Sequence, residues 1–203
     1  MRKVREKIKL TSYDELMKVE TTDGLKEIDI AKLNDFSNHP FKVSDDEKME
    51  ELTESIRERG VLLPILVRKT NDEEYEIISG HRRTHAARLA GLEKVPVIIR
   101  ELSDDDATIV MVDSNIQREE ILPSEKAYAF QMKLEAIHHK GIKGAESREV
   151  VGEANGLSGR QVSRYIKLTN LLPELLEMVD EKKDRNNIDD DYTIKEGQKI
   201  LLP

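Results

Sequence analysis

The chain of 203 residues contains no cysteine. That absence excludes a disulfide framework, a zinc–cysteine site and thiol chemistry together. There is also no apolar run long enough to span a bilayer. The basic segment Met1 to Lys9 is not followed by the apolar stretch of a signal peptide. The expected compartment is the cytoplasm, with no membrane partner. Positive charge is in deficit: 33 lysines and arginines face 41 aspartates and glutamates, for a net charge of −8. Such a balance argues only weakly against a nucleic-acid partner, because local patches decide binding.

The charge is segregated. From His81 to Arg100 stand Arg82, Arg83, Arg88, Lys94 and Arg100 against a single Glu93. Glu101 to Glu125 then turns strongly acidic. With 37% apolar and 36% charged residues, the chain is polar but keeps periodic apolar segments, enough for one or two domains with a core.

Up to Arg118 the pattern alternates between strands and helices. Leu25 to Ile30, Leu62 to Val67, Tyr75 to Ser79 and Val95 to Arg100 read as strands. Ser44-Asp45-Asp46-Glu47 reads as a capping box for a helix that Gly60 ends. His81 to Ala90 and the segment opened by Ser103 read as further helices. After Pro123 the pattern is all helical. Ser124 to His139 offers Ala127, Phe130, Met132, Leu134 and Ile137 for packing, with Tyr128 read as packing too. Shorter helices follow at Ser147 to Ala154, Ser158 to Asn170 and from Leu171.

Two segments carry chemistry. In ISGHRRTHAARLAG a strand runs into Gly80 and then a helix that opens on His81, Arg82 and Arg83. A helix N-terminus already carries partial positive charge, and each added cation is unfavourable by about 0.3–1 kcal/mol. An anion in front of the turn resolves the conflict: backbone N–H groups point at it and guanidinium forks suit phosphate oxygens. Pairing of the arginines with surface carboxylates is the ordinary alternative. Farther on, Asn115 offers a neutral oxygen of the kind that joins a phosphate-dominated Mg²⁺ shell, and Arg118 a cation; an ordinary helix C-terminus explains both equally.

The second segment, Ser147 to Ile166, fits a helix-turn-helix. Gly152 permits close crossing, Gly156 supplies the turn, Leu157 plugs the core, and Val162 and Ile166 point inward. Arg160, Gln161, Ser163 and Arg164 then face outward near the start of the second helix, where a recognition helix meets bases, with Lys167 available for phosphate. A plain helical hairpin is the alternative. Adjacent His138 and His139 face different sides of a helix, and Asp189 to Asp191 lack calcium-loop spacing, so neither reads as a metal site.

YEIISGHRRTHAARLAGLEKVPVIIREL followed by DSNIQREEILPSEKAYAF resembles the ParB partition-protein family, with its GERR-type phosphate segment, ENIQRE-type segment and Pro-led helix in that order. ESIRERGVLLPILVR resembles the family's GxxxPIxVR region, and the similarity extends from Ile28 to Val179. The resemblance implies an α+β fold class: a ParB/sulfiredoxin-like α/β N-terminal domain followed by an all-helical helix-turn-helix domain. The expected divisions are an N-terminal arm at 1–24, a nucleotide-binding domain at 25–120, a DNA-binding domain at 121–181 and an exposed acidic tail at 182–203.

By the same resemblance, Gly80, His81, Arg82 and Arg83 hold the triphosphate of CTP. Ser114, Asn115 and Arg118 lie across from it, Asn115 nearest Mg²⁺, and Gly60 to Pro64 lie near the base. The implied partners are double-stranded DNA carrying a parS-like palindrome, a ParA-type ATPase and a second copy of the chain, on the nucleoid. The family's separate C-terminal dimerisation domain has no matching segment up to Pro203. The family's glutamates are replaced by His81 and Ser114, its Gln by Leu63, and its QPR segment by His39-Pro40-Phe41. These departures leave no catalytic residue assigned and imply a weak CTPase at most. A site-specific transcription regulator of the same fold is the alternative. A small-molecule kinase would need Glu76 or Asp113 as its base, and a sulfiredoxin reductase is excluded by the lack of cysteine.

Overall fold

The computed structural model describes residues 16–17, 25–71, 73–116, 121–153 and 155–186. Arg118, the tail beyond residue 186 and all of the expected arm except Leu16 and Met17 lie outside the described residues.

Five short strands form one mixed sheet. β1 (Leu25–Asp29), β2 (Leu33–Asn34), β3 (Ile65–Lys69), β4 (Tyr75–Ser79) and β5 (Lys94–Ile99) lie in the order β1-β5-β3-β4-β2. β1 and β5 are antiparallel, with Leu25 opposite Ile98; β3 runs parallel to β5 and antiparallel to β4; β2 runs parallel to β4. The third strand starts at Ile65, later than the expected Leu62. Pro64 has no N–H for a ladder, and Leu62 and Leu63 are left exposed in the loop before it.

Strand side chains alternate between the two faces, and both faces are covered. Ile65, Val67, Ile77, Val95 and Val97 turn toward α1 (Glu47–Arg59) and α2 (His81–Leu89), meeting Met49, Ile56, Ala86 and Ala87. Leu66, Ile78 and Ile98 turn the other way, toward α3 (Asp104–Ile116) and α4 (Pro123–His139). Each such side chain contributes about 1.5–3 kcal/mol when fully buried. α3 is apolar nearly all round: Ala107, Ile109, Val110, Met111, Val112 and Ile116 are all buried. Such a helix belongs between two layers. The core continues past it into Ala129, Phe130, Ala136 and Ile137 of α4. It then takes in Val151 of α5 (Ala145–Glu153), and Val162 and Tyr165 of α6 (Gly159–Lys167). Leu16 also belongs to this core.

Local signals mostly act as expected. Gly60 ends α1 with φ 72°, and Ser103 caps α3 through the Asp106 N–H at 3.2 Å. The cap of α1 is Asp46, not Ser44: its carboxylate accepts from the Met49 N–H at 2.8 Å, which starts the helix at Glu47. Tyr128 is 44% exposed and does not pack, because Ala127 and Phe130 take the buried stripe of α4. α7 (Pro173–Asn186) runs past Val179, where the apolar pattern stops; the glutamate and lysines that follow are good helix formers.

Ion pairs fasten α3 to α4. Asp106 meets Lys140 at 2.8 Å, and Asp105 meets Nδ1 of His139 at 2.8 Å. Burial opposes the charge of Asp106, but Lys140 and the Ser103 hydroxyl outweigh it and hold the carboxyl below the usual carboxylate value. Its stabilising contribution is therefore present above about pH 3.9 and fades as pH falls through the lowered value. At the other end Lys133, with its side chain only 1% exposed, contacts Asp113 at 2.5 Å. Among the described residues no group of three metal-ligating side chains occurs; His138 instead meets the Ser147 hydroxyl at 2.9 Å.

Asp113→Ala leaves a buried ammonium without its carboxylate. It is expected to lower stability in urea unfolding by about 3 kcal/mol, while Asp113→Ala combined with Lys133→Met recovers most of that loss. Gly152→Ala places a Cβ 2.2 Å from the Leu157 carbonyl oxygen, an overlap with backbone that no rotamer relieves. The expected loss is about 2 kcal/mol or more, read by the same measurement.

Candidate functional site

Gly80 sits between β4 and α2 with φ 109°, a backbone that a residue with a Cβ rarely adopts. The turn throws the first residues of α2 across the end of the sheet. Arg83 folds back over the glycine: a Cβ built on Gly80 would lie 3.3 Å from its Nη2. Its Nη1 donates to the carbonyls of Leu63 and Pro64, at 2.6 and 2.8 Å. The guanidinium is thus fixed at the N-terminus of α2 by neutral acceptors, and its full positive charge stays uncompensated by them.

The remaining cations of α2 meet the connection between β2 and α1, residues 35–46, which crosses the helix as a strap. Arg82 reaches Asp46 at 3.4 Å, His85 Nε2 reaches Asp45 at 2.7 Å, and Arg88 reaches Asp35 at 3.9 Å. Spacings of three put Arg82, His85 and Arg88 on one face, so three aspartates line two arginines and a histidine. Arg82 is the leading cause that holds the Asp46 carboxyl below its ordinary value, against some desolvation. Arg88 also donates to the Leu33 carbonyl at 2.8 Å. The strap is fastened at two further points. The Ser37 N–H donates to Glu76 at 3.3 Å, and the Lys42 N–H to Glu125 of α4 at 2.8 Å.

His81, the first residue of α2, is 4% exposed. Its Nε2 accepts from the Phe36 N–H at 3.5 Å, and its ring lies 3.8 Å from that of His39. The Nδ1 of His39 donates to the Phe41 carbonyl at 2.8 Å. Beside these rings opens a cavity of about 240 Å³ lined by Asp35, His39, Phe41, Val43, His81, His85 and Arg88. It runs along the side of α2 and is not lined by Gly80, Arg82 or Arg83, where the sequence alone located the anion.

Ser114 and Asn115 lie in the last turn of α3, which packs on β4. Asn115 is 3% exposed; its Nδ2 donates to the Met111 carbonyl at 2.8 Å, and Ser114 Oγ donates to the same oxygen at 3.0 Å. No hydrogen bond joins them to the 80–83 turn among the described residues. Neither carboxylate considered as a base is available to the turn. Glu76 pairs with Arg68 at 2.6 Å, and Asp113 with Lys133. Burial works against the charge of Arg68, but Asp104 and Glu76 together raise its pKa.

The second constellation is a pair of short helices. Gly156 turns the chain with φ 65°, and the Leu157 N–H closes on the Gly152 carbonyl at 3.0 Å. Ser158 caps α6 reciprocally with Gln161: Ser158 Oγ accepts from the Gln161 N–H at 3.3 Å, and Gln161 Oε1 accepts from the Ser158 N–H at 2.9 Å. Val162 and Tyr165 are buried, Tyr165 edge-on to Phe130 at 5.6 Å, whereas Ile166 is only half-buried. Arg160, Arg164 and Lys167 are exposed, and Gln161 and Ser163 half-exposed. The cap occupies the Gln161 oxygen, a structural use that its position three residues after Ser158 would have revealed. The strap aspartates and His39 were also passed over as site residues. In the sequence they stand as caps and turns, and only tertiary folding brings them to α2.

Comparison with known proteins shows the family of the chain. The ParB N-terminal domain family model matches residues 14–116. The chromosome-partitioning protein Spo0J of Thermus thermophilus is 35% identical over 160 residues, 79% of this chain and 56% of that protein. A nucleoid occlusion protein of Bacillus mycoides is 35% identical over 171 residues, 84% of this chain and 56% of that protein. The chain therefore spans about half the length of the curated relatives it matches. Among solved structures, the C-terminally truncated chromosome-partitioning protein ParB of Caulobacter crescentus, complexed to the centromeric parS site, is 28% identical. It covers 78% of this chain and 79% of its own, with a TM-score of 0.55. With the family model matching half of its length and relatives 35% identical over more than three quarters of it, this chain belongs to the ParB N-terminal domain family.

Proposed function

We propose that this chain is a nucleotide-responsive, DNA-binding partition protein of the nucleoid. It binds the triphosphate of CTP with Mg²⁺ at the N-terminus of α2 and double-stranded DNA through α5 and α6. The observation that carries the nucleotide half is Arg83, held across Gly80 by two carbonyls so that its charge faces the helix N-terminus. His81 and Arg82 complete that turn, and Ser114, Asn115 and Arg118 are the residues assigned across from it. Mg²⁺ bound with the nucleotide would neutralise part of the phosphate charge. Asn115 suits it as one neutral oxygen donor, the rest coming from phosphate and water, since the described residues hold no acidic cluster for a resident ion.

The DNA half is supported by the exposed Arg160, Arg164 and Lys167 on α6, joined by Gln161 and Ser163. The Caulobacter crescentus relative with the parS site points to a parS-like duplex as the partner. A ParA-type ATPase and a second copy of the chain complete the expected assembly. Hydrolysis is weak at most. The turn holds a histidine and no carboxylate, Ser114 stands where an acid would help, and Glu76 and Asp113 are tied to Arg68 and Lys133. That observation also favours the second reading, a site-specific regulator that binds nucleotide with little turnover.

A calorimetric panel of CTP, ATP, GTP and UTP with Mg²⁺ is expected to show CTP binding best. Arg83→Ala removes a charged hydrogen-bonding group worth about 1.5–3 kcal/mol, hence about tenfold to a hundredfold in affinity or more. Equal weak binding of all four nucleotides would sink the nucleotide half. In anisotropy titrations a parS duplex should bind more tightly than a scrambled one. Arg160→Ala should narrow that difference, and Lys167→Ala should reduce the salt slope by about one for both duplexes. Identical affinities for the two duplexes would leave only non-specific DNA binding.

A further inference from the structure

The first turn of α6 is closed by protein groups. Ser158 and Gln161 cap it reciprocally, and the Gly159 N–H donates to Glu149 Oε2 of α5 at 3.0 Å. That carboxylate fits because residue 159 has no side chain: a Cβ built there would lie 2.7 Å from Glu149 Oε1. Gln161 Oε1 accepts twice, from the Ser158 N–H at 2.9 Å and from the Ser158 hydroxyl at 2.9 Å. A backbone N–H can only donate, so this bond fixes which way the amide is turned: the oxygen belongs to the cap and Nε2 is left over. Among the described residues Nε2 makes no hydrogen bond. Gln161 is half-exposed on the outward side of α6, three residues from the exposed Arg164, while Val162 and Tyr165 turn to the core. A glutamine on a recognition helix matches adenine by donating from its nitrogen and accepting at its oxygen. Here the oxygen has no capacity left, because a carbonyl oxygen has two lone pairs and Ser158 takes both. Turning the amide toward adenine would strand the Ser158 N–H at the helix start, where no carbonyl of the preceding turn can accept it.

We propose that Gln161 takes part in choosing the DNA sequence as a donor alone: its Nε2 selects guanine, whose major-groove edge offers O6 and N7 as acceptors, and rejects adenine as a two-point partner. This rests on the reading of α5 and α6 as the DNA-binding pair and names one base preference within it. Arg160 and Arg164 are donors only as well, so three neighbouring side chains of the first turns of α6 all call for acceptors.

The test is selection by the full chain from a library of randomised DNA duplexes at one fixed salt concentration. Anisotropy titrations of the selected duplex and of its single base-pair substitutions follow. Gln161→Ala removes both cap and donor. Gln161→Glu keeps the capping box, since glutamate serves at this position, but puts an acceptor where the donor was. The native chain should require a G·C pair at one position of a half-site, and Gln161→Ala should discriminate there at least about fivefold less. Gln161→Glu should invert that pair to C·G, because a carboxylate accepts from cytosine N4. In thermal unfolding Gln161→Glu should melt with the native chain and Gln161→Ala below it. An A·T pair at the position where Gln161→Ala loses discrimination, or one selected sequence shared by all three chains, overturns the inference and leaves the DNA reading intact. If the native chain selects no sequence at all, the reading of α5 and α6 as a sequence-specific module fails and the inference fails with it.

Discussion

The alignment of Asp35, Asp45 and Asp46 along the cationic face of α2 is the interaction on which the site depends. A helix that opens on a histidine and two arginines carries unfavourable charge at its positive end. Without a ligand, something in the protein has to offset it, and the strap does so with carboxylates that an incoming phosphate would replace in kind. The pairs are not equivalent. Arg82 and Asp46 are partly exposed and 3.4 Å apart, so water already competes for them. Among the described residues Arg83 pairs with no carboxylate and rests on two carbonyls. Arg83 is thus held by neutral acceptors, which leave its charge unanswered.

The strap also ties the site to the helical half. Ser37 is bonded to Glu76 of the sheet and Lys42 to Glu125 at the start of α4. α3 supplies a second connection: one side covers Leu66, Ile78 and Ile98, and the other continues into Phe130 and Ile137 of α4. The ion pairs of Asp105, Asp106 and Asp113 clamp α3 to α4 at both ends. The strap thus reaches α4, on which α6 packs through Phe130 and Tyr165. The two halves share one wall of side chains.

On the proposed reading, the site is equipped to hold a triphosphate and less equipped to cleave it. Binding a triphosphate needs donors and positive charge, which the turn has. Turning it over needs a carboxylate free to orient water or move a proton. Asp35, Asp45 and Asp46 beside α2 each face a basic side chain, and the position after Gly80 carries an imidazole whose Nε2 accepts from the Phe36 N–H.

Much of this was legible in the sequence. Alternation located four strands, Gly80 announced the turn, and Gly152 announced the close helix crossing. Each is a local rule, in which the residue and its few neighbours contain the cause. The errors lay where a neighbour distant in sequence, or the geometry of a whole face, takes over. Asp46 displaced Ser44 as the cap of α1, Leu62 and Leu63 fell outside the strand, and Tyr128 was left on the wet side of α4. What the sequence by itself determined was the alphabet of the site: a glycine with positive φ, a cationic first turn, and an α+β fold with a helical half. Only the tertiary structure decided that the strap returns across 36 to 53 residues to set Asp46, Asp45 and Asp35 against Arg82, His85 and Arg88, and His39 against His81. Ionic and ring contacts of that span depend on where the chain is carried by its core, and no local pattern encodes them.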